Sequence, residues 1–314
     1  MTSSLCKSLT AGLLLAAASL VPGAWVAAQP VGEGPLVLRL PVSARTLALG
    51  NATVVSNDAD ALFGNPALLM VARGMSASVQ AYGAAATGGA MANVAAIGSL
   101  FIGVGAQHLS WQSPAARYDD AVRFGATTLS DGGTISAGSS AFTLGVARSI
   151  KGLQLGASVK FAEERLGAVG DGTVAFDVGV VRPMGQTVLS VTAQNLGVGP
   201  RLDGVSGTPP RRIGVGMSRA PFALGTHWDI AGQAQVTLEG DWFVRPAGGA
   251  ELLYVPVEGV VFALRSGLRL PREREESLVT AGAGFTLDRV SLDYAMEPLR
   301  GGRPVSHRVG VRVK

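Results

Sequence analysis

The chain has 314 residues, of which 43 are glycine and 15% are charged, and its formal net charge is +4. Water-soluble domains usually carry about 25% charged residues and about 7% glycine, so this composition argues against an ordinary soluble domain. The excess of basic residues is too small for a nucleic-acid-binding face, which needs clustered Lys and Arg. We therefore expect no nucleic-acid partner.

Residues 1–28 have the pattern of a secretory signal peptide. A basic start at Lys7 is followed by an apolar run that ends near Val26, and we expect cleavage after Ala28. The run is too short and too rich in alanine for a permanent membrane anchor. Cleavage would remove Cys6, the only cysteine, so the exported chain would have no disulfide and no thiol chemistry.

Residues 29–73 follow and lack the alternation seen in the rest of the chain. Residues 43–50 predict a short helix that is ended by glycine. A second helical turn comes next, which Asp58 or Asp60 could cap, and Pro66 then biases the residue before it away from helix. We expect a small folded segment ahead of a barrel, and the space available to it is the barrel interior.

From residue 74 onward the apolar residues recur with a period of two, which places one set of side chains on each face of a sheet. The pattern predicts about fourteen strands of about ten residues, the length that a tilted strand needs to cross a membrane. Strands in soluble proteins average about five or six residues. The candidate strands are 75–83, 91–98, 101–111, 139–150, 153–165, 173–182, 187–196, 211–219, 228–240, 248–255, 259–270, 277–287, 290–297 and 305–314.

The connections between these strands alternate in length. Those at one end are long: 84–90, 112–138, 166–172, 197–210, 241–247, 271–276 and 298–304. Those at the other end are short, except for 220–227. Outer-membrane barrels have short periplasmic turns and longer external loops, and an open sheet edge cannot exist in lipid. Residues 74–314 are therefore predicted to form an all-β transmembrane antiparallel barrel.

One face of the candidate strands carries the polar residues, which would line the interior of the barrel. About fourteen strands enclose more space than a single layer of side chains fills, so an interior remains to be plugged or used. We expect most of these charges to pair across the interior and hold the wall. The candidate lining residues are Lys160, Asp177, Gln233, Gln235, Arg265, Arg269, Asp293, Arg308 and Arg312.

The sequence leaves two other interpretations of the fold open. Residues 84–107 contain no charged side chain and could be a transmembrane helix, but five glycines favour a hairpin. A soluble periplasmic β-sandwich is the second, and the sparse aromatic content of 6% gives it some support. Aromatic residues nevertheless lie near several predicted strand ends: Trp111, Trp228, Trp242, Tyr254 and Tyr294.

Several short motifs, in order along the chain, resemble the PorV/PorQ family, whose members are related to the FadL-type fatty acid transporters. The first runs from Ala44-Arg45-Thr46-Leu47-Ala48-Leu49-Gly50 to Asn65-Pro66-Ala67-Leu68-Leu69. The others are Phe176-Asp177-Val178-Gly179, Gln194-Asn195-Leu196-Gly197, Pro210-Arg211-Arg212-Ile213-Gly214, Gly249-Ala250-Glu251, Leu264-Arg265-Ser266-Gly267, Leu292-Asp293-Tyr294-Ala295 and Ser306-His307-Arg308-Val309. The resemblance implies a fourteen-stranded FadL-like barrel and an N-terminal hatch that contains the turn Asn65, Pro66, Ala67.

The same resemblance implies an outer-membrane location and an accessory role in protein secretion or surface attachment of the type IX kind. Its partners would be outer-membrane lipid and a secretion translocon or secreted cargo. The alternative is a FadL-like passive channel for hydrophobic solutes, although a polar interior argues mildly against an apolar binding pocket. One departure from common outer-membrane barrels is the end Val311-Arg312-Val313-Lys314, which lacks the aromatic residue that assembly machinery reads.

The sequence offers no support for an enzyme or for a cofactor. No Gly-x-Ser-x-Gly elbow is present, and His108, His227 and His307 lack the close spacing of a metal site. The charged stretch 272–276 is expected to be a solvated loop. The long connection 112–138 is the better binding candidate, because function concentrates in long loops on a rigid wall.

Overall fold

Fourteen long strands close into one antiparallel barrel in a computed structural model, which describes residues 34–83, 86–114, 134–202, 205–273, 276–300 and 305–314. The strands are β1 (Gly74–Tyr82), β2 (Ala86–Ile97), β3 (Leu100–Pro114), β4 (Thr134–Ile150), β5 (Leu153–Leu166), β6 (Val169–Met184), β7 (Thr187–Gly197), β8 (Arg201–Leu202), β9 (Val205–Ser206), β10 (Arg212–Ala223), β11 (Trp228–Glu239), β12 (Val244–Val257), β13 (Val260–Arg269), β14 (Val279–Leu287), β15 (Val290–Glu297) and β16 (Ser306–Val313). The predicted signal peptide, the start of segment 29–73 and most of loop 112–138 lie outside the described residues.

Each long strand pairs with the next one along the chain, and β1 closes the ring by pairing with β16 from Met75↔Val313 to Tyr82↔Ser306. The short β8–β9 hairpin stands apart, so β7 pairs directly with β10. The predicted barrel class is confirmed, and the sandwich alternative is wrong. The apolar stretch 84–107 contributes to the β2–β3 hairpin, as its glycines indicated. Among the described residues, no helix has the length and apolar character to cross a membrane.

The two faces of the wall differ as the alternation predicts. In β15, Leu292, Tyr294 and Met296 are exposed on the outside, while Asp293 and Ala295 are buried inside. The same pattern on the other strands produces an outer band of exposed Val, Leu, Phe and Met side chains. A water-soluble surface seldom carries so large a continuous apolar area, whereas a lipid-facing barrel requires one.

The ends of the strands depart from the prediction where glycine hides the alternation. Loop 166–172 was expected, but β5 and β6 pair as far as Leu166↔Val169 and leave only a tight turn in which Gly167 has a φ of +60°. Gly170 and Gly172 belong to β6. Because they have no side chains, they do not contribute to the alternation of apolar and polar residues from which the strands are predicted. The connection 220–227 is also shorter than expected, because β10 continues to Ala223 past an irregular register.

The described part of the N-terminal segment, residues 34–73, is called the hatch below. It contains helices α1 (Ala44–Ala48) and α2 (Ala61–Gly64) and the 3-10 turns Leu36–Arg39, Thr53–Val55 and Pro66–Met70. The first turn packs near the loop end of the barrel, with Leu38 beside Leu109 and Trp111. The chain then descends through the interior to Gly74, which starts β1 at the end where the short turns lie.

The predicted first helix is confirmed, and the predicted cap of the second is wrong. Ser43 caps α1 in a reciprocal arrangement with Thr46, and Gly50 follows with a φ of +75°. At α2, Asp60 occupies the N-cap position but its side chain makes no capping bond. It accepts hydrogen bonds from Ser43 (2.5 Å) and Ser56 (2.7 Å) instead. Two hatch serines thus occupy the carboxylate that could have capped the helix.

The hatch fits the wall closely because the wall presents glycine where the hatch touches it. Gly156 and Gly179 form a cross-strand pair directly beneath the turn Asn65-Pro66-Ala67. A Cβ at Gly156 would overlap the backbone between Pro66 and Ala67, and a Cβ at Gly179 would overlap the Asn65 amide oxygen. No larger residue fits at either position without displacing the turn.

The variant Gly179→Ala should therefore weaken the seat of the hatch, because overpacking a filled interior costs about 1–3 kcal/mol. The matched control is Gly172→Ala on the same strand, where the nearest atom to an added Cβ is the Ala162 carbonyl oxygen at 3.7 Å. Denaturant titration in detergent micelles measures both free energies of unfolding. Equal stabilities for the two variants would contradict a close seat.

Candidate functional site

Six charged side chains of alternating sign form a closed ring of ion pairs between the hatch and the wall. In order around the ring they are Arg45, Asp58, Arg312, Asp293, Arg265 and Glu251, and the last contacts the first. Three arginines face three carboxylates, so the ring is neutral as a unit. It lies in the half of the barrel nearer the short turns, and it is called the charge ring below.

The hatch supplies two members of the charge ring. The Arg45 guanidinium lies 3.0 Å from Glu251 of β12 and 3.2 Å from Asp58. Asp58 in turn accepts from Arg312 of β16 at 2.8 Å and is 3.2 Å from the ammonium of Lys314. The first and last thirds of the chain are thus joined through two carboxylates and two guanidinium groups.

The wall supplies the other four members. Arg312 binds Asp293 of β15 at 2.5 Å, and Arg265 of β13 binds the same carboxylate at 2.7 Å. Arg265 also pairs with Glu251, its directly opposite residue on β12. Each side chain of this half is at most about a tenth exposed. Because both neighbours of every member carry the opposite charge, no charge in the ring is buried alone.

The ring governs the ionisation of the hatch residues. Burial alone would raise the pKa of the Asp58 carboxyl, but Arg312, Arg45 and Lys314 outweigh burial and hold its pKa well below the usual range. Burial would lower the pKa of Arg45, and Glu251 and Asp58 raise it instead. Asp60 shows the opposite balance to Asp58, because burial and the nearby Asp58 charge raise its pKa.

A second polar cluster holds the end of α2. The Lys160 ammonium lies 2.7 Å from Asp177 and donates to Asn195 (2.9 Å) and to the Phe63 carbonyl (3.3 Å). Asp177 also accepts from Ser158 (3.1 Å). Lys160 and Asp177 are fully enclosed, so this pair depends on its hydrogen bonds to offset the cost of burying two charges. It fixes the carbonyl that precedes the hatch turn.

The turn Asn65-Pro66-Ala67 is bound to the wall through its asparagine. The Asn65 amide nitrogen donates to Ser190 Oγ of β7 (2.6 Å), while its amide oxygen accepts from the Ala67 backbone (3.0 Å). The Gly64 carbonyl accepts from Thr192 (3.2 Å), also on β7. One asparagine thus closes the local turn and joins it to the barrel, a combination that a side chain without both amide functions cannot supply.

The structure brings only some of the predicted lining residues together. Arg265, Asp293 and Arg312 lie in the charge ring, whereas Lys160 and Asp177 form the separate pair under α2. Towards the loop end, Arg269 pairs with Glu297. There Arg308 donates to Gln80 (2.7 Å) and Ser78 (3.1 Å). Gln233 and Gln235 bind hatch backbone at Ala52, Val54 and Asn51.

Three members of the ring were not among the predicted lining residues: Arg45, Asp58 and Glu251. Glu251 could have been found, because it alternates inward with Gly249 and stands opposite Arg265. The stretch 272–276, expected to be a solvated loop, is engaged at its described positions. Arg272 pairs with Glu239 and Asp241, and Glu276 pairs with Arg245. Within the described ranges no group of three or more His, Cys, Asp or Glu residues is placed to hold a metal ion.

Two spaces remain beside the hatch and the wall. A cavity of about 250 Å³ lies between the hatch and strands β7, β10, β11 and β12 at the end of the short turns, and it is called the lower cavity. A groove of about 1150 Å³, called the outer groove, lies on β3–β6. It is lined by exposed Phe142 and Phe161 and by the adjacent Ser140 and Glu163. Val198, 78% exposed, stands beside this outer groove.

Loss of one member should loosen the charge ring. Glu251→Gln leaves Arg45 and Arg265 short of a carboxylate, and breaking a buried pair costs about 3–5 kcal/mol. The control is Glu163→Gln in the exposed pair with Arg165, for which at most about 1 kcal/mol is expected. Protease protection of the hatch in detergent distinguishes the two. A hatch that is equally protected in both variants contradicts a latching role for the ring.

Acid should also loosen the ring. Because the pKa of Asp58 lies below its usual 3.8, its contribution to hatch retention is complete above that pH and is lost as the pH falls further. Hatch protection measured from about pH 7 to about pH 3 should therefore decline in the wild type and decline less in Asp58→Asn. Asp60→Asn is the control and should keep the acid loss, since the pKa of Asp60 is shifted in the other direction. If Asp58→Asn has the same pH profile as the wild type, Asp58 does not cause the acid loss of hatch protection.

Comparison with known proteins places the fold among solved channels. No protein-family model and no curated protein sequence matches the chain. The toluene transporter TodX of Pseudomonas putida is similar at a TM-score of 0.56 and 13% identity, covering 90% of this chain and 98% of TodX. The Ralstonia pickettii toluene transporter TbuX gives 0.57 and 12%, covering 88% and 100%. A FadL homologue of Pseudomonas aeruginosa gives 0.54 and 9%, covering 86% and 97%. The chain has the closed fourteen-stranded fold of these FadL-like barrels.

Proposed function

We propose that this protein is a non-enzymatic outer-membrane channel that admits small hydrophobic solutes, with the hatch as its gate. The observation that carries the proposal is a barrel with the fold of two toluene transporters, whose interior is closed by a segment of the same chain. Outer-membrane location is part of the proposal. It is supported by the apolar outer band and by the predicted signal peptide.

The hatch closes the interior from one end to the other. Its apolar side chains pack against the wall through Leu62, Leu68 and Leu69 in one cluster and Leu47 in another. The lower cavity, of about 250 Å³, lies between the hatch and the wall. A solute therefore crosses the barrel only if the hatch moves, and the contacts that hold the hatch set how often this happens.

The charge ring gives the gate two well-separated states. Removing a single partner leaves a buried charge unpaired, which is costly, so the ring resists partial opening. Full withdrawal of the hatch towards the short turns carries Arg45 and Asp58 into water, where their charges are solvated again. The wall keeps Arg265 beside both Glu251 and Asp293, so the barrel retains paired charges after the hatch leaves.

Entry of toluene into vesicles with a lipopolysaccharide outer leaflet tests this function, because a plain phospholipid bilayer passes apolar solutes unaided. We expect the wild type to admit toluene faster than protein-free vesicles and Glu251→Gln to admit it faster still. Each ~1.4 kcal/mol lost from the latch raises the open population about tenfold. The control Glu163→Gln should match the wild type. Entry at the protein-free rate for every variant would refute the channel.

The secretion accessory role implied by the PorV/PorQ resemblance is the second candidate, and it has less support than the channel. One observation favours it, namely the outer groove of about 1150 Å³ beside exposed Phe142, Phe161 and Val198. Such an area could receive a translocon subunit or cargo protein. Pull-down of the tagged protein in mild detergent separates the two roles. Reproducible recovery of a large translocon or of cargo favours secretion, whereas a barrel recovered alone favours the channel.

A further inference from the structure

The lower cavity is a space of about 250 Å³ at the end of the barrel where the short turns lie, and it is partly open to solvent beside the exposed Asn57 and Val71. It lies on the periplasmic side of the hatch, between the hatch residues Leu49, Val55 and Leu68 and the inner faces of β7, β10, β11 and β12. A solute that has passed the hatch would meet it before leaving the barrel.

Beside this cavity β10 departs from regular pairing with its neighbour. The pairing of β10 with β11 shifts register between Arg219 and Phe222. Ala220 bonds to the Gln186 carbonyl (2.8 Å) in the β6–β7 turn, and Pro221 has no N–H to donate. Bulges of this kind re-aim a strand and are frequent beside functional sites.

The lining is apolar on one side and polar at one end. Leu49, Val55 and Leu68 supply apolar surface from the hatch, and Val188 supplies it from β7. The polar end is formed by the Arg45–Glu251 pair of the charge ring, with Gln233 beside it. A ligand that fits both ends has an apolar body and one polar group.

Glu251 has room for one more hydrogen-bond donor. Its carboxylate accepts from Arg45 at both oxygens (3.0 and 3.2 Å) and from Arg265 at Oε2. A carboxylate offers about four lone-pair sites, so one remains, on Oε1. The polar group of the ligand should therefore donate a proton, and it should be neutral because the charge ring is already balanced.

We propose that the lower cavity binds a neutral molecule about the size of one substituted aromatic ring that carries one hydroxyl group, such as a phenol. The hydroxyl donates a hydrogen bond to Glu251. An apolar cavity of about 150 Å³ holds benzene and drug-sized ligands need about 300 Å³ or more, so a substituted ring fits and a long acyl chain does not. The inference rests on the proposed channel for the route by which the ligand arrives. Beyond that function, it names the class of solute that binds in the lower cavity on its way out of the barrel.

Calorimetric titration of the detergent-solubilised full chain tests the binding directly, with phenol, anisole and palmitate as probes. Anisole keeps the ring and loses the donor. We expect phenol to bind about tenfold more tightly than anisole and palmitate not to compete with it. Equal binding of phenol and anisole, or displacement of phenol by palmitate, would overturn the proposal without any variant being needed.

A matched pair of variants on β11 distinguishes phenol bound in the cavity from phenol dissolved in the detergent micelle. Ala231 faces inward opposite Glu251, whereas Ala234 lies on the outer face. Ala231→Phe fills the cavity and should weaken phenol binding about tenfold, and Ala234→Phe should leave it unchanged. Equal binding by the two variants means that phenol is held only by the detergent, and it contradicts the site. Failure of toluene entry with intact phenol binding would instead refute the channel alone.

Discussion

The closed ring of alternating charges is the interaction on which the proposed gate depends. Arg45 and Asp58 reach it from the hatch, and the remaining four members belong to strands β12, β13, β15 and β16. Buried charges are tolerated when each has opposite partners and are costly when one partner is removed. In a closed ring every charge has two partners of opposite charge, and any partial displacement of the hatch leaves some of them unpaired. A gate with distinct closed and open states requires this property.

The glycine content has a related explanation, because the wall must let a folded segment approach its backbone. Gly156 and Gly179 seat the asparagine turn, and Gly249 and Gly267 lie against the backbone of Leu49 and Gly50. Close approach brings hatch carbonyl and amide groups within reach of wall side chains such as Ser190 and Gln235. Because these glycines have no side chain, the hatch both packs densely against the wall and forms hydrogen bonds with it.

The sequence predicted the parts of this molecule that follow from local patterns, and it missed those that depend on distant partners. Alternation with period two identifies all fourteen long strands, since an apolar outer face and a polar inner face impose it. The strand ends failed at Gly170 and Gly172, which carry no side chain to alternate. The sequence offers Asp58 or Asp60 as a helix cap, and a short carboxylate such as that of Asp58 suits a cap and an ion pair equally well. Its partner Arg312 lies 254 residues away, and no local pattern reports that distance.

The proposed gate requires the hatch to be a separate unit, latched by the charge ring inside a more stable barrel. Amide hydrogen exchange of the wild-type protein in lipid nanodiscs tests it most directly, because exchange reports the free energy of local opening segment by segment. We predict that residues 44–70 exchange together and with less protection than strands β12–β16, and that the protection of the hatch relative to these strands falls in acid. A hatch that exchanges as slowly as those strands, at every pH, would show that hatch and barrel are one permanent structure, and the gate would have to be abandoned.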